Sequence, residues 1–447
     1  MNSNDTPQLP LDTVLIERDG KFLFLSPSRP DWIVVNKNTA ISLSLCDGSR
    51  TKDEIRNELS AVHPEVEDAL KIIDTFYDNG FLSENPNINK SSNNTPKIYS
   101  VHLNLSRSCN LSCNYCYAEE RPLGGDQLTF EEYKILIDDL RLMSDHIEVA
   151  LTGGEPLLNK DACRIAEYCR SVGFYTHLLT NAIPINESNA QKIAKTFDII
   201  RISIDGSTSF FHDFHRGEGT LDRTKNAIDL LLQHGANLKI AMTVTKHNIG
   251  DIEKMASIYG DILTFQPLFE AGNAKSIEDQ SITGMEYFTA LKDAKNVTVM
   301  GGIVKHLNRM RNRGTTKCVI GDGEISIGHN GDVYPCHMVH LPEFLAGNIR
   351  EKNISDIYSS SEVIKSTRKL HIDARPECAE CLVRLFCGGS CRARALYMAG
   401  DINACDDFCD YELSAYINGL FEEAQLKNIN DFNSEQKHVC GDTCGVC

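Results

Sequence analysis

No apolar run of membrane-spanning length interrupts these 447 residues, and no basic segment followed by an apolar stretch opens them; the start, MNSNDTPQLPLD, is polar and acidic. Those absences predict a cytoplasmic protein. Positive charge is also scarce: 45 Lys and Arg against 62 Asp and Glu leave a formal net charge of −17. Polyanion binding draws on a basic surface that releases counterions, so this balance argues against a nucleic-acid partner. Cysteine is missing from the whole stretch between Cys169 and Cys318, yet the chain holds 17 in all. An odd, clustered set in a chain without a secretion signal argues against a disulfide framework and for metal. Only Cys46, Cys163, Cys169 and Cys405 stand apart from cluster-like spacings; the first three read as core thiols and Cys405 as an extra thiol. A hydrophobic share of 41% and a charged share of 24% describe a soluble globular chain, and its length implies two or three domains.

The string CNLSCNYC places Cys109, Cys113 and Cys116 at C-x3-C-x2-C spacing. Three soft thiolates so spaced can bind three irons of a [4Fe-4S] cube, leaving a fourth iron open to chelate a small molecule. Taken alone, the three could instead bind zinc or lie buried as thiols. The spacing resembles the signature of the radical S-adenosylmethionine (SAM) enzymes. The resemblance implies that the open iron holds the amino and carboxylate groups of SAM. It further implies that an electron from the cluster cleaves SAM to methionine and a 5′-deoxyadenosyl radical, so that Cys109, Cys113 and Cys116 are the catalytic ligands.

From Lys97 to about residue 300, strand and helix patterns alternate six times, from IYSVHLNLS to DILTFQPLFEAG. Such repeats imply parallel pairing with right-handed crossovers, in an open doubly wound sheet or a partial barrel. The resemblance selects the second: an α/β fold built on a partial (β/α)6 barrel over residues 98–310. In parallel α/β folds the site lies beyond the carboxyl ends of the strands, and the candidate residues fall there. Gly153-Gly154-Glu155-Pro156 follows strand two, Thr180 and Asn181 follow strand three, and Ser203-Ile204-Asp205-Gly206 ends strand four, with Arg216 in FHRGEG beyond it. Glycines admit a ligand close to the backbone, and a Glu can accept from an ammonium. By resemblance, GGEP contacts the SAM amino group, Ser203 and Arg216 hold the methionine carboxylate, and Tyr115 lies near adenine. An arginine fork suits a carboxylate because it can bind it bidentately. Glu270, in FQPLFEAGNAK, faces the same end but reads more naturally as a surface or structural carboxylate.

A second cysteine set fills residues 311–425: Cys318, Cys336 in GDVYPC, then Cys378, Cys381, Cys387 and Cys391, and finally Cys409 in DDFC. C-x2-C pairs alone could form a zinc ribbon. The order resembles the SPASM auxiliary-cluster domain of radical SAM peptide maturases. That resemblance assigns Cys378, Cys381, Cys387 and Cys409 to one [4Fe-4S] cluster and Cys318, Cys336 and Cys391 to another. The second set departs from the family pattern in lacking a fourth cysteine; its last iron could be open, bind substrate, or borrow a thiolate. In the tail, residues 426–447, Cys440, Cys444 and Cys447 repeat the C-x3-C-x2-C spacing. They could hold a third auxiliary cluster, complete the Cys318 set, or bind metal adventitiously on a flexible tail.

Residues 1–90 predict a separate unit. TVLIERDGKFLFL reads as two strands about Asp19-Gly20, followed by three helices. Thr51 and Glu54 fit a capping box, and Gly80 closes the last helix. The unit resembles the PqqD-like winged-helix domains that recognise precursor leaders, through LSLCDGSRTKDEI and DNGFL. In those domains the leader adds a strand to the sheet edge. Residues 91–97, SSNNTPK, read as a linker. The combination predicts a maturase that installs an intramolecular thioether or carbon–carbon crosslink in a ribosomally made precursor peptide. It would use three [4Fe-4S] clusters, SAM and an electron donor such as flavodoxin or ferredoxin. The alternatives are epimerisation, oxidation of a Cys or Ser in a protein substrate as in sulfatase maturation, and a non-catalytic iron–sulfur electron carrier or scaffold.

Overall fold

The computed structural model describes residues 1–28, 31–61, 66–83, 98–117, 126–294, 318–370, 372 and 375–426. The expected linker and the tail cysteines Cys440, Cys444 and Cys447 lie outside the described residues.

Strands Val14–Arg18 (β1), Lys21–Ser26 (β2) and Asp31–Asn36 (β3) form an antiparallel sheet in that order. Arg18 pairs with Lys21, so Asp19 and Gly20 make a two-residue turn, and their φ values of 50° and 72° suit the twist of the flanking strands. β3 is an addition to the sequence reading. Its run DWIVVN, aromatic and β-branched, pairs with β2 along its whole length. Helices Lys37–Ser44 (α1), Lys52–Ser60 (α2) and Val66–Asp78 (α3) follow. The capping box at Thr51 and Glu54 forms as expected. Ile55, Leu59, Leu70 and Ile73 pack with Phe24 and Leu43 into one core.

The second sheet carries the chemistry. Ser100–Ser106 (β4), Glu148–Gly153 (β5), Tyr175–Thr180 (β6), Ile199–Ser203 (β7), Leu238–Val244 (β8) and Leu263–Pro267 (β9) run parallel, each beside the next. Helices Phe130–Met143 (α4), Ala162–Ser171 (α5), Ala190–Thr196 (α6), Ser209–Arg216 (α7), Thr220–Gln233 (α8), Ile252–Tyr259 (α9) and Gly284–Asp293 (α10) connect and follow these strands. α7 is an extra element between β7 and the expected helix, and it ends on Arg216. Val101, Leu103 and Leu105 of β4 join the core shared with the helices, so alternation turns His102, Asn104 and Ser106 to the opposite face.

The sheet does not stop at six strands. Glu324–Ile327 (β10) pairs parallel with β4, Asp332–Tyr334 (β11) antiparallel with β10, and Gly347–Asn348 (β12) antiparallel with β11, giving nine strands in all. These added strands are two to four residues long, too short to show a period in sequence. They join the cysteine-rich region to the barrel by backbone hydrogen bonds. Helices Ile354–Ser360 (α11), Glu362–Arg368 (α12), Arg384–Cys387 (α13), Arg392–Ala399 (α14) and Cys409–Leu426 (α15) complete it.

β2 is buried on both faces. Leu23 and Leu25 pack with Trp32 against Val383, Phe386 and the α15 residues Tyr416, Leu420 and Phe421. Trp32 meets Phe386 edge-on, with ring centroids 5.4 Å apart. The N-terminal sheet is thereby seated on the segment that holds Cys381 and Cys387. Among the described residues, no helix is long and apolar enough to cross a membrane.

Candidate active site

The loop after β4 holds Cys109, Cys113 and Cys116, and two neighbouring elements pin it. The Asn114 backbone donates to the His215 carbonyl at 3.1 Å, and its side-chain amide donates to the Phe214 carbonyl at 3.2 Å. From beyond β9, the Asn273 backbone donates to the Cys116 carbonyl at 2.8 Å. Cys113 is buried, while Cys109 and Cys116 are half-buried. Burial raises the Cys113 thiol, the Arg216 cation pulls it down, and both companion thiols lie near enough to act on it.

β5 ends directly against this loop. Gly154 N donates to Ser106 O at 2.7 Å, and Glu155 N donates to Ser108 O at 2.9 Å. A Cβ on Gly153 would lie 2.4 Å from Ser106 O, and one on Gly154 2.3 Å from Ser108 O. Only glycine lets the two backbones come this close. The Glu155 carboxylate, 0% exposed, does not point to open space. It accepts from Leu157 N at 3.1 Å, Thr180 Oγ1 at 2.8 Å and Asn181 N at 2.9 Å. Burial pushes its pKa up to about 7 against these three donors. Thr180 ends β6 and Asn181 follows it, at the strand end expected. Asn181 Nδ2 donates to Asn110 Oδ1 at 2.9 Å and lies 3.7 Å from Cys109 Sγ. The next residue, Ala182, is held at a φ of 65°, a left-handed conformation unusual for a residue with a Cβ.

The residues expected around the methionine and adenine moieties form a knot of their own. Asp205, 0% exposed, accepts from Tyr115 Oη and Arg216 Nε, each at 2.5 Å, and from Thr243 N at 3.0 Å. Arg216 Nη2 also donates to Tyr115 Oη. Burial would raise the Asp205 carboxyl, but Arg216 holds it below its ordinary value. Ser203 is half-buried at the end of β7, opposite Ala241 of β8. The expected arrangement therefore differs in detail: Arg216 is committed through Nε and Nη2 to Asp205 and Tyr115.

The auxiliary cysteines fall into two sets. Cys318, Cys336 and Cys391 pack in one cluster with Tyr117 and Phe269, beside the first cysteine loop and the end of β9. Burial, with Cys391 beside it, raises the Cys318 thiol to about 11. Cys378, Cys381, Cys387 and Cys409 gather around the end of α13 and the start of α15. Cys46, Cys163 and Cys169 are free thiols; Cys46 and Cys169 are buried as expected, whereas Cys163 is half-buried against the barrel core. Glu270 lies near Asp407, in the cysteine-rich region.

One buried polar group escaped the sequence reading. His102, Glu324 and His337 bring ligand atoms within 4.8 Å of one another. His337 Nδ1 lies 2.8 Å from Glu324 Oε1, and the His102 and His337 rings stack at 4.1 Å with 14° between planes. Two parallel stacked imidazoles cannot both aim in-plane lone pairs at one ion, so the group reads as a buried brace in which His337, hydrogen-bonded to Glu324 of β10, stacks on His102 of β4 and ties the Cys336 loop to both strands. The signal available was His102 at a position of β4 facing away from the helices.

The sequence profile of the Radical SAM superfamily matches residues 103–258, and that of an iron–sulfur cluster-binding domain (SPASM) matches 318–382. The AdoMet-dependent heme synthase of Nitratidesulfovibrio vulgaris is 30% identical over 350 residues, which cover 71% of this chain and 94% of that protein. The chain belongs to the radical SAM superfamily. Other relatives of this radical SAM protein include the mycofactocin maturase MftC of Mycolicibacterium smegmatis, 27% identical over 68% of this chain and 81% of that one. The antilisterial bacteriocin subtilosin biosynthesis protein AlbA of Bacillus subtilis is 26% identical over 80% of this chain and 84% of that one. Among solved structures, anSMEcpe with bound AdoMet superposes with a TM-score of 0.61 at 20% identity, covering 73% of this chain and 98% of that one. SuiB of Streptococcus suis, bound to S-adenosylmethionine, superposes at 0.56 and 15% identity, covering 89% and 98%. These two likenesses establish the fold.

The residues of this superfamily member suit such cofactors. Three thiols converge on one loop, a glycine cradle lies against its backbone, and no fourth cysteine stands beside it among the described residues.

Proposed function

We propose that this chain is a radical SAM maturase that closes a thioether or carbon–carbon crosslink in a ribosomally synthesised peptide. The observation that carries the reading is the placing of Cys109, Cys113 and Cys116 on one loop whose backbone packs on Gly153 and Gly154, next to the Tyr115–Asp205–Arg216 knot. Cys109, Cys113 and Cys116 would hold a [4Fe-4S] cube, which together with SAM would supply a 5′-deoxyadenosyl radical. The chain's own groups would position that chemistry. Gly153 and Gly154 seat the cysteine loop's backbone against the end of β5, and Glu155 fixes the Thr180-Asn181 turn. Asp205 aims Arg216 and Tyr115, leaving Arg216 Nη1 with no hydrogen bond to the described residues and open to a carboxylate. The wall of Cys318, Cys336 and Cys391 beside Phe269 would put one auxiliary [4Fe-4S] centre at the barrel mouth, and Cys378, Cys381, Cys387 and Cys409 would hold a second. Bond closure after hydrogen loss is a net oxidation, and those centres would take the surplus electron. An external donor such as flavodoxin or ferredoxin would prime the first cube.

The relatives MftC and AlbA are a maturase and a bacteriocin biosynthesis protein, and SuiB has been solved bound to the precursor peptide SuiA; they support a peptide substrate. The likeness to SuiB covers 89% of the chain, more than residues 98–447 make up, so it takes in much of the N-terminal module. We assign that module, residues 1–90, the PqqD-like winged-helix role. Its β1 edge, unpaired in the three-stranded sheet, would accept a leader strand by backbone hydrogen bonding.

Two other readings have an observation behind them. The heme synthase relatives suggest a small-molecule substrate, but their match covers 71% of this chain and gives the N-terminal module no task. Epimerisation would need a thiol hydrogen donor, and the candidate by sequence, Cys405, neighbours the auxiliary-centre thiols Cys378 and Cys409. Mass spectrometry of the genomically adjacent peptide, co-expressed with this protein, decides. Loss of two hydrogens per modification supports crosslinking; unchanged mass with inverted stereochemistry, or an unmodified peptide, refutes it.

A further inference from the structure

Phe210 and Phe214 stand 68% and 48% exposed on successive turns of α7, the only phenylalanines left exposed among the described residues. Burial of such rings favours folding, so a pair held out on one helix face is a feature that folding alone does not explain. The two rings are not loose. His247, in the segment after β8, lies between them: it stacks on Phe214 with ring centroids 4.0 Å apart and 20° between planes, and lies 4.8 Å from Phe210. A carbonyl only accepts, so His247 Nε2 donates to Phe210 O, at 2.8 Å, and this bond fixes the imidazole in place.

This face is continuous with the first cysteine loop. His215, next to Phe214 in α7, is buried. Its ring lies 4.9 Å from that of Phe214 and 5.1 Å from that of Tyr115, which sits between Cys113 and Cys116. Both of its nitrogens are engaged, Nδ1 with Asn114 Oδ1 at 2.8 Å and Nε2 with Thr245 Oγ1 at 2.9 Å, so the ring is held between the loop and the end of β8. From Phe210 through His247, Phe214 and His215 to Tyr115, each ring is 4.0–5.1 Å from the next. The surface is thereby joined to the loop that holds the three thiols. Charge points the same way. Residues 207–225 and 245–254 hold five Asp and Glu against five Lys and Arg, so this face carries none of the acidic excess of the chain.

We propose that the face of Phe210, Phe214 and His247 is where the priming electron enters, and that its partner is a small, acidic one-electron carrier presenting a flavin. The flat, largely apolar edge of a flavin packs on exposed rings as aromatic side chains pack on one another, and a face without acidic excess does not repel an acidic carrier. One electron leaves the carrier's flavin hydroquinone anion and is taken up at the cube; no proton moves and no bond forms. The inference rests on the proposal that Cys109, Cys113 and Cys116 hold that cube.

The test follows 5′-deoxyadenosine formation by the full chain, reconstituted anaerobically and driven either by dithionite or by flavodoxin with its reductase. Dithionite is a small anion that needs no docking face, so each variant serves as its own control. Phe210→Ser combined with Phe214→Ser is expected to lower the flavodoxin-driven rate about 10-fold relative to the dithionite-driven rate of the same protein, through a raised KM for flavodoxin. Should that variant fail to fold, Phe210→Ser alone, which removes the more exposed ring, is read in the same way. A ratio of the two rates unchanged from wild type overturns the proposal. So does a wild-type protein driven by ferredoxin but not by flavodoxin. A wild-type protein that forms no 5′-deoxyadenosine even with dithionite overturns the underlying reading, and this inference with it.

Discussion

Changing Asp205 to Asn probes the knot that sets the position of Arg216. Asp205 is fully buried and Arg216 nearly so, and their closest atoms are 2.5 Å apart. At an effective dielectric of about 20, unit charges about 4 Å apart attract by roughly 4 kcal/mol. The substituted amide would keep one oxygen for Thr243 N or Tyr115 Oη but lose the charge, leaving a buried guanidinium without compensation. Removing one member of a buried pair costs about 3–5 kcal/mol. Asp205→Asn is therefore expected to destabilise the barrel by ~3–5 kcal/mol. Asp205→Asn combined with Arg216→Met recovers ~1 kcal/mol or more of that loss, because the stranded cation is gone. Urea unfolding of the metal-free chain, followed by far-UV circular dichroism, measures both; the chain's single tryptophan, Trp32, reports the N-terminal junction instead. A single variant within ~1 kcal/mol of wild type, or a double variant worse than the single by the full cost of a second buried loss, would refute the reasoning.

Gly154→Ala should push the cysteine loop back by about 0.7 Å, the gap between 2.3 Å and 3.0 Å at Ser108 O, and lower 5′-deoxyadenosine formation roughly 10–100-fold with the auxiliary iron retained. Wild-type turnover would contradict the cradle. His177 is buried, and burial lowers its pKa to about 4, so the unfolded chain binds a proton below pH 6.5 that the folded chain refuses. Its contribution to stability is present above pH 6.5 and falls by ~1.4 kcal/mol per pH unit toward pH 4; in His177→Gln that slope should be absent from the difference between urea curves at pH 6.5 and 5.5. Trp32→Ala empties the contact with Phe386 and should cost ~3–5 kcal/mol at the junction, seen as faster amide exchange in β2 and β3 with the barrel core unchanged.

The parallel six-strand core was legible because short apolar-rich runs alternate with helices that carry their own period, so local pattern and tertiary role agree. The strand-end residues were legible in place but not in partnership. Nothing in a linear reading tells whether Glu155 faces a ligand or the Thr180-Asn181 turn, since both arrangements need the same carboxylate at the same strand end. Arg216 has the same ambiguity, resolved only when α7 swings it onto Asp205. Strands β10 to β12 were missed because sheet extension by two to four residues is decided by the neighbour β4, not by propensity. Cys405 was set aside because spacing along the chain is a poor guide to distance where a turn such as that around Asp406 folds the segment back.

The most direct test of the whole account is anaerobic incubation of the reconstituted protein with SAM and dithionite, followed by chromatography and mass spectrometry for 5′-deoxyadenosine. The account predicts that wild-type protein forms it and that a Cys109→Ala, Cys113→Ala, Cys116→Ala variant, with its auxiliary cysteines intact, forms none. Equal amounts from both proteins, or none from the wild type with its full complement of iron, would contradict it.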